Sequence, residues 1–456
     1  MRNDRLHIFF SGIGGSGVSA LAAFMADKGN IVSGSDRAFE TNPHHPARKT
    51  LTNKGVKIVP QDGNGIVPAL DLVVFSTAVE PDRPEFIRTK ELGIPFRSRP
   101  EYLSDIVSEY RTIAVAGTSG KSTVAGMLAW LMLRLGMQPN FIGGGRVKQF
   151  SSMSNPGNSI IGESDVLVIE ACESDGTIVD YKPEHSLILN LELDHHAVEK
   201  TAAMFETLID NTLKTLVINA DDHNLSLLSS SGMDDAVTFA IDMPAKYKPV
   251  DIVYRPLGMD FSLDGMRFNL SLPGRYNLYN ALACIAMLSE MGIAAKDISK
   301  ELPDFEGIER RFDIHLDDGI HLIVDDYAHN PHKLAALMTA AQPLRERICY
   351  IFQPHGFGPT RMMKDEYIEA FSRGLRDSDH LILLPIFYAG GTASRDISSQ
   401  DLAAGIKKNG RSVEAVKDRN EVIRGLERWD NYIIMGARDE TLSAFARSIA
   451  LLLRLD

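Results

Sequence analysis

Ile113-Ala-Val-Ala-Gly-Thr-Ser-Gly-Lys-Ser-Thr123 sets a short apolar run ahead of glycines, a lysine and two hydroxyls, and the helical pattern Val124 to Leu135 follows. Between a strand and a helix such a bend is a phosphate cradle. Glycines let backbone N–H groups turn inward, and the helix N-terminus adds positive potential. Lys121 would neutralise the outer phosphates and Ser122 would hold a magnesium ion. Gly117, Thr118, Ser119, Gly120, Lys121, Ser122 and Thr123 are therefore the expected ATP-binding loop. The full P-loop pattern has one more glycine, five residues before Gly120, where this chain has Val115.

The chain has 456 residues, more than one hydrophobic core usually organises, and domains of roughly 100–200 residues suggest three units. Its 44% hydrophobic content is ample for folded cores. Against 48 lysines and arginines stand 60 aspartates and glutamates, a formal charge of −12, and such a surface repels phosphates. Neither nucleic acid nor an anionic membrane is an expected partner, so anionic substrates have to be met by local cradles. Cys172, Cys284 and Cys349 lie far apart with no CxxC pair, which supports neither a disulfide framework nor a zinc–cysteine site and fits a reducing cytoplasm. The first apolar run, His7 to Ser11, leads straight into glycines and reads as a buried strand, not a signal segment. No apolar run approaches membrane-spanning length. The sequence leaves the oligomeric state open between monomer and dimer.

Leu6-His-Ile-Phe-Phe-Ser11 is followed by Gly12-Ile-Gly-Gly-Ser-Gly17 and a helical run closing at Gly29, which places GxGxxG between a strand and a helix. A second strand, Ile31 to Ser35, ends at Asp36, roughly twenty residues past the glycines, where a dinucleotide fold puts a ribose-binding acid. A simple cap is the alternative role for Asp36. Strand–helix alternation continues at Leu72 to Phe75 with Pro84 to Leu92, and at Pro95 to Arg97 with Pro100 to Val107, a parallel α/β sheet over residues 1–109. The glycine loop suits a nicotinamide dinucleotide and the diphosphate of a UDP-sugar alike, and the motif does not choose between them.

Residues 110–313 carry the phosphate cradle, strands at Val166 to Glu170 and Leu187 to Asn190, and a helix near Ala203 to Thr215. Acids collect at the strand ends. Glu170, Glu173 and Asp175 follow the first strand, and Glu192, Asp194, His195 and His196 follow the second, at the edge where ligands of open α/β sheets gather. Mg²⁺ is usually held by one or two carboxylates plus substrate phosphates, so an acid near the cradle is chemically required. Adjacent His195 and His196 do not converge easily on one zinc ion, and no third soft ligand is near. Val250 to Leu272 reads as a small antiparallel patch, followed by a helix starting at Pro273. Residues 314–456 alternate again through Ile320 to Val324, Lys333 to Ala341, Ile348 to Gln353, Tyr367 to Leu375, His380 to Leu384 and Tyr432 to Met435, another doubly wound sheet.

The compact form of Gly117 to Thr123 resembles the loop of the Mur ligases, ATP-dependent enzymes that build the peptide of bacterial cell-wall precursors. Gly12 to Gly17 with Val32-Ser-Gly-Ser-Asp36 and Val74-Phe-Ser-Thr-Ala78 resemble that family's amino-terminal domain. The resemblance implies that Gly12, Gly14, Gly15, Ser16, Gly17, Ser76 and Thr77 hold a UDP-sugar, with Asp36 near the uridine. Glu170-Ala-Cys-Glu-Ser-Asp175 and Asn190-Leu-Glu-Leu-Asp-His195 resemble the paired segments that supply a metal-ligating Glu and His. This implies Mg²⁺ on Ser122, Glu170 and His195, and a catalytic set of Lys121, Glu170 and His195. Pro273 to Leu282 resembles the helix start that puts an asparagine at adenine, which implies Asn280, although Tyr276 stands where the family has His. Phe305-Glu-Gly-Ile-Glu-Arg-Arg-Phe312 resembles the linker whose arginine reaches ATP, implying Arg311 with help from Arg310. Asp325-Asp-Tyr-Ala-His-Asn-Pro331 resembles the segment that contacts the nucleotide, implying Asp326 and Tyr327, with Asn330-Pro331 as a helix start in the alternative reading.

Extended over the chain, the resemblance implies three α/β domains: a Rossmann-like UDP-binding domain at 1–109, a central P-loop ATPase domain with a parallel sheet at 110–313, and a Rossmann-like carboxy-terminal domain at 314–456 that closes over ATP and takes the amino acid. It further implies cytoplasmic peptidoglycan-precursor synthesis, joining UDP-N-acetylmuramate to L-alanine or a short peptide with ATP and Mg²⁺. Three departures bear on the amine. Ser119 replaces the usual His, Gly356 to Thr360 after His355 lacks the expected basic residue, and Ala328-His-Asn-Pro replaces Gly-His-His-Pro. A recycling ligase that attaches a preformed tripeptide shares the same front half, and a non-catalytic UDP-sugar binder or an NAD oxidoreductase would account for the first glycine loop alone.

Overall fold

In the computed structural model residues 5–42, 45–193, 196–388 and 394–454 are described. The chain divides into two compact units. The first comprises Met1–Val253, Met259–Ser271 and Asn277–Ile308, and the second Tyr254–Gly258, Leu272–Tyr276 and Glu309–Asp456.

The first unit holds two parallel-type sheets. In the five-stranded one the order is Lys57–Ile58, Ile31–Ser35, His7–Ser11, Leu72–Phe75, Phe96–Ser98, and every pairing is parallel. His7–Ser11 is buried on both faces: Ile8 and Phe10 pack into one core and Phe9 into another, as helix-covered parallel strands require. The strand order turns at His7–Ser11, so the glycine loop leaves the sheet at its switch point, where open α/β sheets take ligands. The seven-stranded sheet has the order Val237–Phe239, Thr215–Asn219, His185–Ile188, Arg111–Ala116, Val166–Glu170, Asn140–Ile142, Ser159–Ile160, parallel except at its last pair. Arg111–Ala116 is central, and its neighbours are the two strands whose ends carry the acids. The helix Lys121–Arg134 leaves its tip with an unbroken buried stretch from Lys121 to Met132, which locks the cradle to the core.

Local signals account for several boundaries. Ser98 and Glu101 form a capping box at the start of Arg99–Val107, with Pro100 in its first turn. The expected patch is present as the antiparallel hairpin Gly258–Leu263 and Met266–Leu270. The helix expected near residue 203 begins earlier, at Val198, and runs to Asp210.

The second unit carries a six-stranded sheet ordered Asp313–Asp317, Leu322–Asp326, Asn431–Met435, Cys349–Phe352, His380–Leu383, Val413–Ala415, antiparallel only at its first pair. Asn330 caps Pro331–Ala341 by accepting the Lys333 N–H, so Asn330-Pro331 is indeed a helix start. Among the described residues no helix is long and apolar enough to cross a membrane, and the three cysteines are free.

Candidate active site

Gly120 sits at φ +84, a left-handed conformation open to glycine, and turns the chain into the helix Lys121–Arg134. The first N–H groups of that helix have no intrahelical acceptor, the arrangement that favours an anion at a helix start. Thr118 and Ser119 are engaged otherwise. The Thr118 N–H donates to the Asn190 carbonyl at 3.2 Å, and its hydroxyl and the Ser119 N–H donate to Asn190 Oδ1 at 2.8 and 2.7 Å. Asn190, at the end of the neighbouring strand, therefore braces the bend. Its amide also donates to the Ser119 carbonyl at 3.0 Å.

Lys121 is 9% exposed and its ammonium donates to Glu173 Oε2 at 2.8 Å and to the Gly117 carbonyl at 2.5 Å. Burial, the largest single influence, pulls this lysine down, but Glu173, Cys172 and Glu170 together outweigh it and hold the group above its ordinary value. Ser122 donates to Glu170 Oε1 at 2.9 Å, and the Gly144 N–H donates to Oε2 at 2.7 Å. The buried Thr123 completes the first turn. Asn280 is buried and places Oδ1 only 2.7 Å from where a Cβ on Gly120 would stand. Its amide donates to Asn277 Oδ1 at 3.0 Å. His195 lies outside the described residues.

In the five-stranded sheet, Gly12 (φ +79) faces Ser76, whose Cβ would be 2.6 Å from an added methyl group. The Ser76 N–H donates to the Ser11 carbonyl at 2.9 Å. Gly15, Ser16 and Thr77 are exposed, while Gly14 and Gly17 are half-buried. Asp36 accepts the Gly14 N–H and the Ala38 N–H, each at 2.8 Å, so its carboxylate both shapes the loop and caps Arg37–Thr41. Beneath the loop lies Glu85, fully buried, which takes the hydroxyls of Ser11 and Ser35. Burial pushes its carboxyl up, and those two hydroxyls pull it back.

The second unit brings Arg310, Arg311, Asp326 and Tyr327 together. Arg311 and Arg310 lie over the Tyr327 ring at 4.9 and 5.1 Å. Arg310 is buried, bound to Asp325 at 3.2 Å and to the Gly436 carbonyl at 2.6 Å, an anchor inside its own unit. Asp326 accepts the Phe312 and Ala328 N–H groups, each at 2.7 Å, and so ties the segment after Arg311 to the strand Leu322–Asp326.

Sequence reasoning placed Glu173 only among nearby acids and gave no role to Asn190 or Glu85. A carboxylate that is 1% exposed and salt-bridged looks in sequence like any loop glutamate. The one available signal was position: each follows or opens an element at a strand's carboxyl edge.

Family comparison matches three consecutive stretches: the Mur ligase family catalytic domain at residues 7–111, the Mur ligase middle domain at 115–288 and the Mur ligase glutamate ligase domain at 310–438. The UDP-N-acetylmuramate--L-alanine ligase of Lachnospira eligens is 32% identical over 460 residues, covering 96% of each chain. The crystal structure of the UDP-N-acetylmuramate-alanine ligase of Thermotoga maritima superposes with a TM-score of 0.82 at 25% identity, over 99% of this chain and 100% of that one. A murein peptide ligase of Psychrobacter arcticus shares the fold, with a TM-score of 0.70 at 22% identity over 98% of each chain.

Proposed function

The chain belongs to the Mur ligase family, and from that footing we propose that it joins the carboxylate of UDP-N-acetylmuramate to the amine of L-alanine, consuming ATP and releasing ADP and phosphate in peptidoglycan-precursor synthesis. The observation that carries this reading is the cluster in which Lys121 and Ser122, at one helix start, meet two carboxylates of one segment, Glu173 and Glu170.

A carboxylate is a poor electrophile until a good leaving group replaces its oxygen. In the proposed sequence the muramate carboxylate oxygen attacks the γ-phosphorus and the bond to ADP breaks, leaving an acyl phosphate. The neutral amine then attacks the acyl carbon, loses a proton, and inorganic phosphate departs. Gly117 to Thr123 cradle the triphosphate, and Lys121 exchanges Glu173 and the Gly117 carbonyl for phosphate oxygens, where its charge offsets what accumulates in transfer. Asn280 flanks the bend on the nucleotide side. Ser122 and Glu170 present adjacent oxygens of the kind magnesium takes, and with His195 they would hold an ion that neutralises the phosphates. Gly12 to Gly17, Ser76 and Thr77 take the UDP moiety, with Asp36 holding the loop in shape. Arg311, Asp326 and Tyr327 serve ATP from the carboxy-terminal domain, Asp326 by fixing the segment that bears Arg311. Closure of that domain would exclude water from the acyl phosphate.

The test is phosphate release with UDP-N-acetylmuramate, Mg-ATP and either L-alanine or the preformed tripeptide. Release that depends on L-alanine supports the proposal, and release with the tripeptide alone assigns the recycling reaction instead. Binding of the UDP-sugar with neither amine giving ADP would make the chain a non-catalytic binder.

A further inference from the structure

Glu170-Ala-Cys-Glu-Ser-Asp175 sends its three acids to three places. Glu170 takes Ser122, Glu173 takes Lys121, and Asp175 takes the guanidinium of Arg99. Arg99 opens the helix Arg99–Val107, directly after the last strand of the five-stranded sheet. Its side chain lies across Gly17, the last glycine of the GxGxxG loop: an added methyl group there would sit 3.7 Å from Nε and 3.9 Å from Cζ. Both partners are largely covered, Arg99 with 20% and Asp175 with 11% of the side chain exposed, so this is no freely solvated surface pair. Asp175 is itself fixed, Oδ1 accepting the Thr177 N–H at 3.1 Å and the Thr177 hydroxyl at 2.6 Å, which turns Oδ2 to Arg99.

Among the described residues only Nη2 of Arg99 has a hydrogen-bond partner, and its Nε, without one, is the atom nearest Gly17 in a planar, five-donor fork. Such a fork matches phosphate oxygens two at a time. The loop below it offers backbone N–H groups at the start of the twelve-residue helix Ser16–Asp27, and a chain of net charge −12 must supply its cations locally. We propose that Arg99 binds the diphosphate of the sugar nucleotide and that Asp175 is its positioning residue, so that one ion pair sets the sugar-nucleotide loop relative to the segment that engages Lys121 and Ser122. This rests on the reading of the glycine loop as a UDP-sugar site.

Calorimetric titration of the full chain with UDP, uridine and UDP-N-acetylmuramate tests it, alongside an ATP analogue with Mg²⁺. Arg99→Met is expected to weaken UDP and UDP-N-acetylmuramate by roughly tenfold or more, as loss of a charge-assisted bidentate contact does, with uridine and the ATP analogue unchanged. Arg99→Lys should recover part of the loss. Asp175→Asn should raise KM for the sugar nucleotide but not for ATP, with recovery in Asp175→Glu. UDP bound by a folded Arg99→Met chain as tightly as by the parent would overturn the proposal and leave the pair a strut. A parent chain that binds no UDP at all would remove the UDP-sugar reading itself, and this inference with it. Should Arg99→Met fail to fold, Arg99→Lys and Asp175→Asn carry the same comparison.

Discussion

Lys121 is the residue at which stability and the proposed chemistry meet. Its removal leaves Glu173 as a buried carboxylate without its cation, and breaking such a pair costs about 3–5 kcal/mol. Lys121→Ala is expected to lower turnover by about a thousandfold or more and also to lower the unfolding free energy. Lys121→Met with Glu173→Leu should regain most of the stability and none of the turnover, read by denaturant titration beside phosphate release. Gly120 is the second such point. At φ +84 a side chain costs about 1–2 kcal/mol, and its Cβ would press on Asn280 Oδ1 at 2.7 Å. Gly120→Ala should therefore lose stability and nucleotide affinity together, and adding Asn280→Ala should relieve the contact but not the backbone strain. Equal stability in the single and double variants would mean that the contact with Asn280 is not felt.

At the scale of elements, the seven-stranded sheet is tied at its other edge by Glu184, just before His185–Ile188. It takes Arg111, at the start of the central strand, at 2.6 and 2.9 Å, and Lys214 at 2.5 Å. The Arg111 hydrogen bonds chiefly, and Lys214 after them, hold the Glu184 carboxyl down at about 2, against the cost of burial. A carboxyl lowered in the folded state contributes stability that is complete above the unfolded value of about 4.3 and is lost as pH falls toward 2. Glu184→Gln should cost about 1–2 kcal/mol at pH 7, and its deficit relative to the parent should shrink from pH 5 to pH 3 in urea titrations. A deficit that stays constant over that range would show that the charge is not what matters. Elements were the most legible level of the sequence. His7–Ser11, Val166–Glu170 and Asn431–Met435 are short apolar runs bounded by glycines or charges, and such runs read directly as buried strands. The start of Val198–Asp210 was read five residues late because Ala197 offers no side-chain cap to mark it.

For the whole molecule, two units with separate sheets and cores are expected to unfold as separable transitions. UDP-N-acetylmuramate at about a hundred times its dissociation constant should stabilise the unit that holds Gly12 to Gly17 by about 2.7 kcal/mol and leave the other transition in place. Scanning calorimetry distinguishes this from one cooperative transition that moves as a whole.

The sequence by itself determined the fold class, the two glycine bends and the acids near them, because glycine, lysine and hydroxyl spacing along one strand–turn–helix is local information. It also carried the family likeness, since those spacings recur in order along the chain. The partners were decided only by tertiary structure. Glu173 rather than another acid meets Lys121, Asn190 braces Thr118 and Ser119, Asp36 and Asp326 accept backbone N–H groups, and Arg99 reaches Asp175 from the helix that follows the five-stranded sheet. Lys121 with Glu173, Asn190 with Thr118 and Ser119, and Arg99 with Asp175 join segments more than fifty residues apart, and such a residue's burial and partner follow from how the elements pack, which no local pattern encodes.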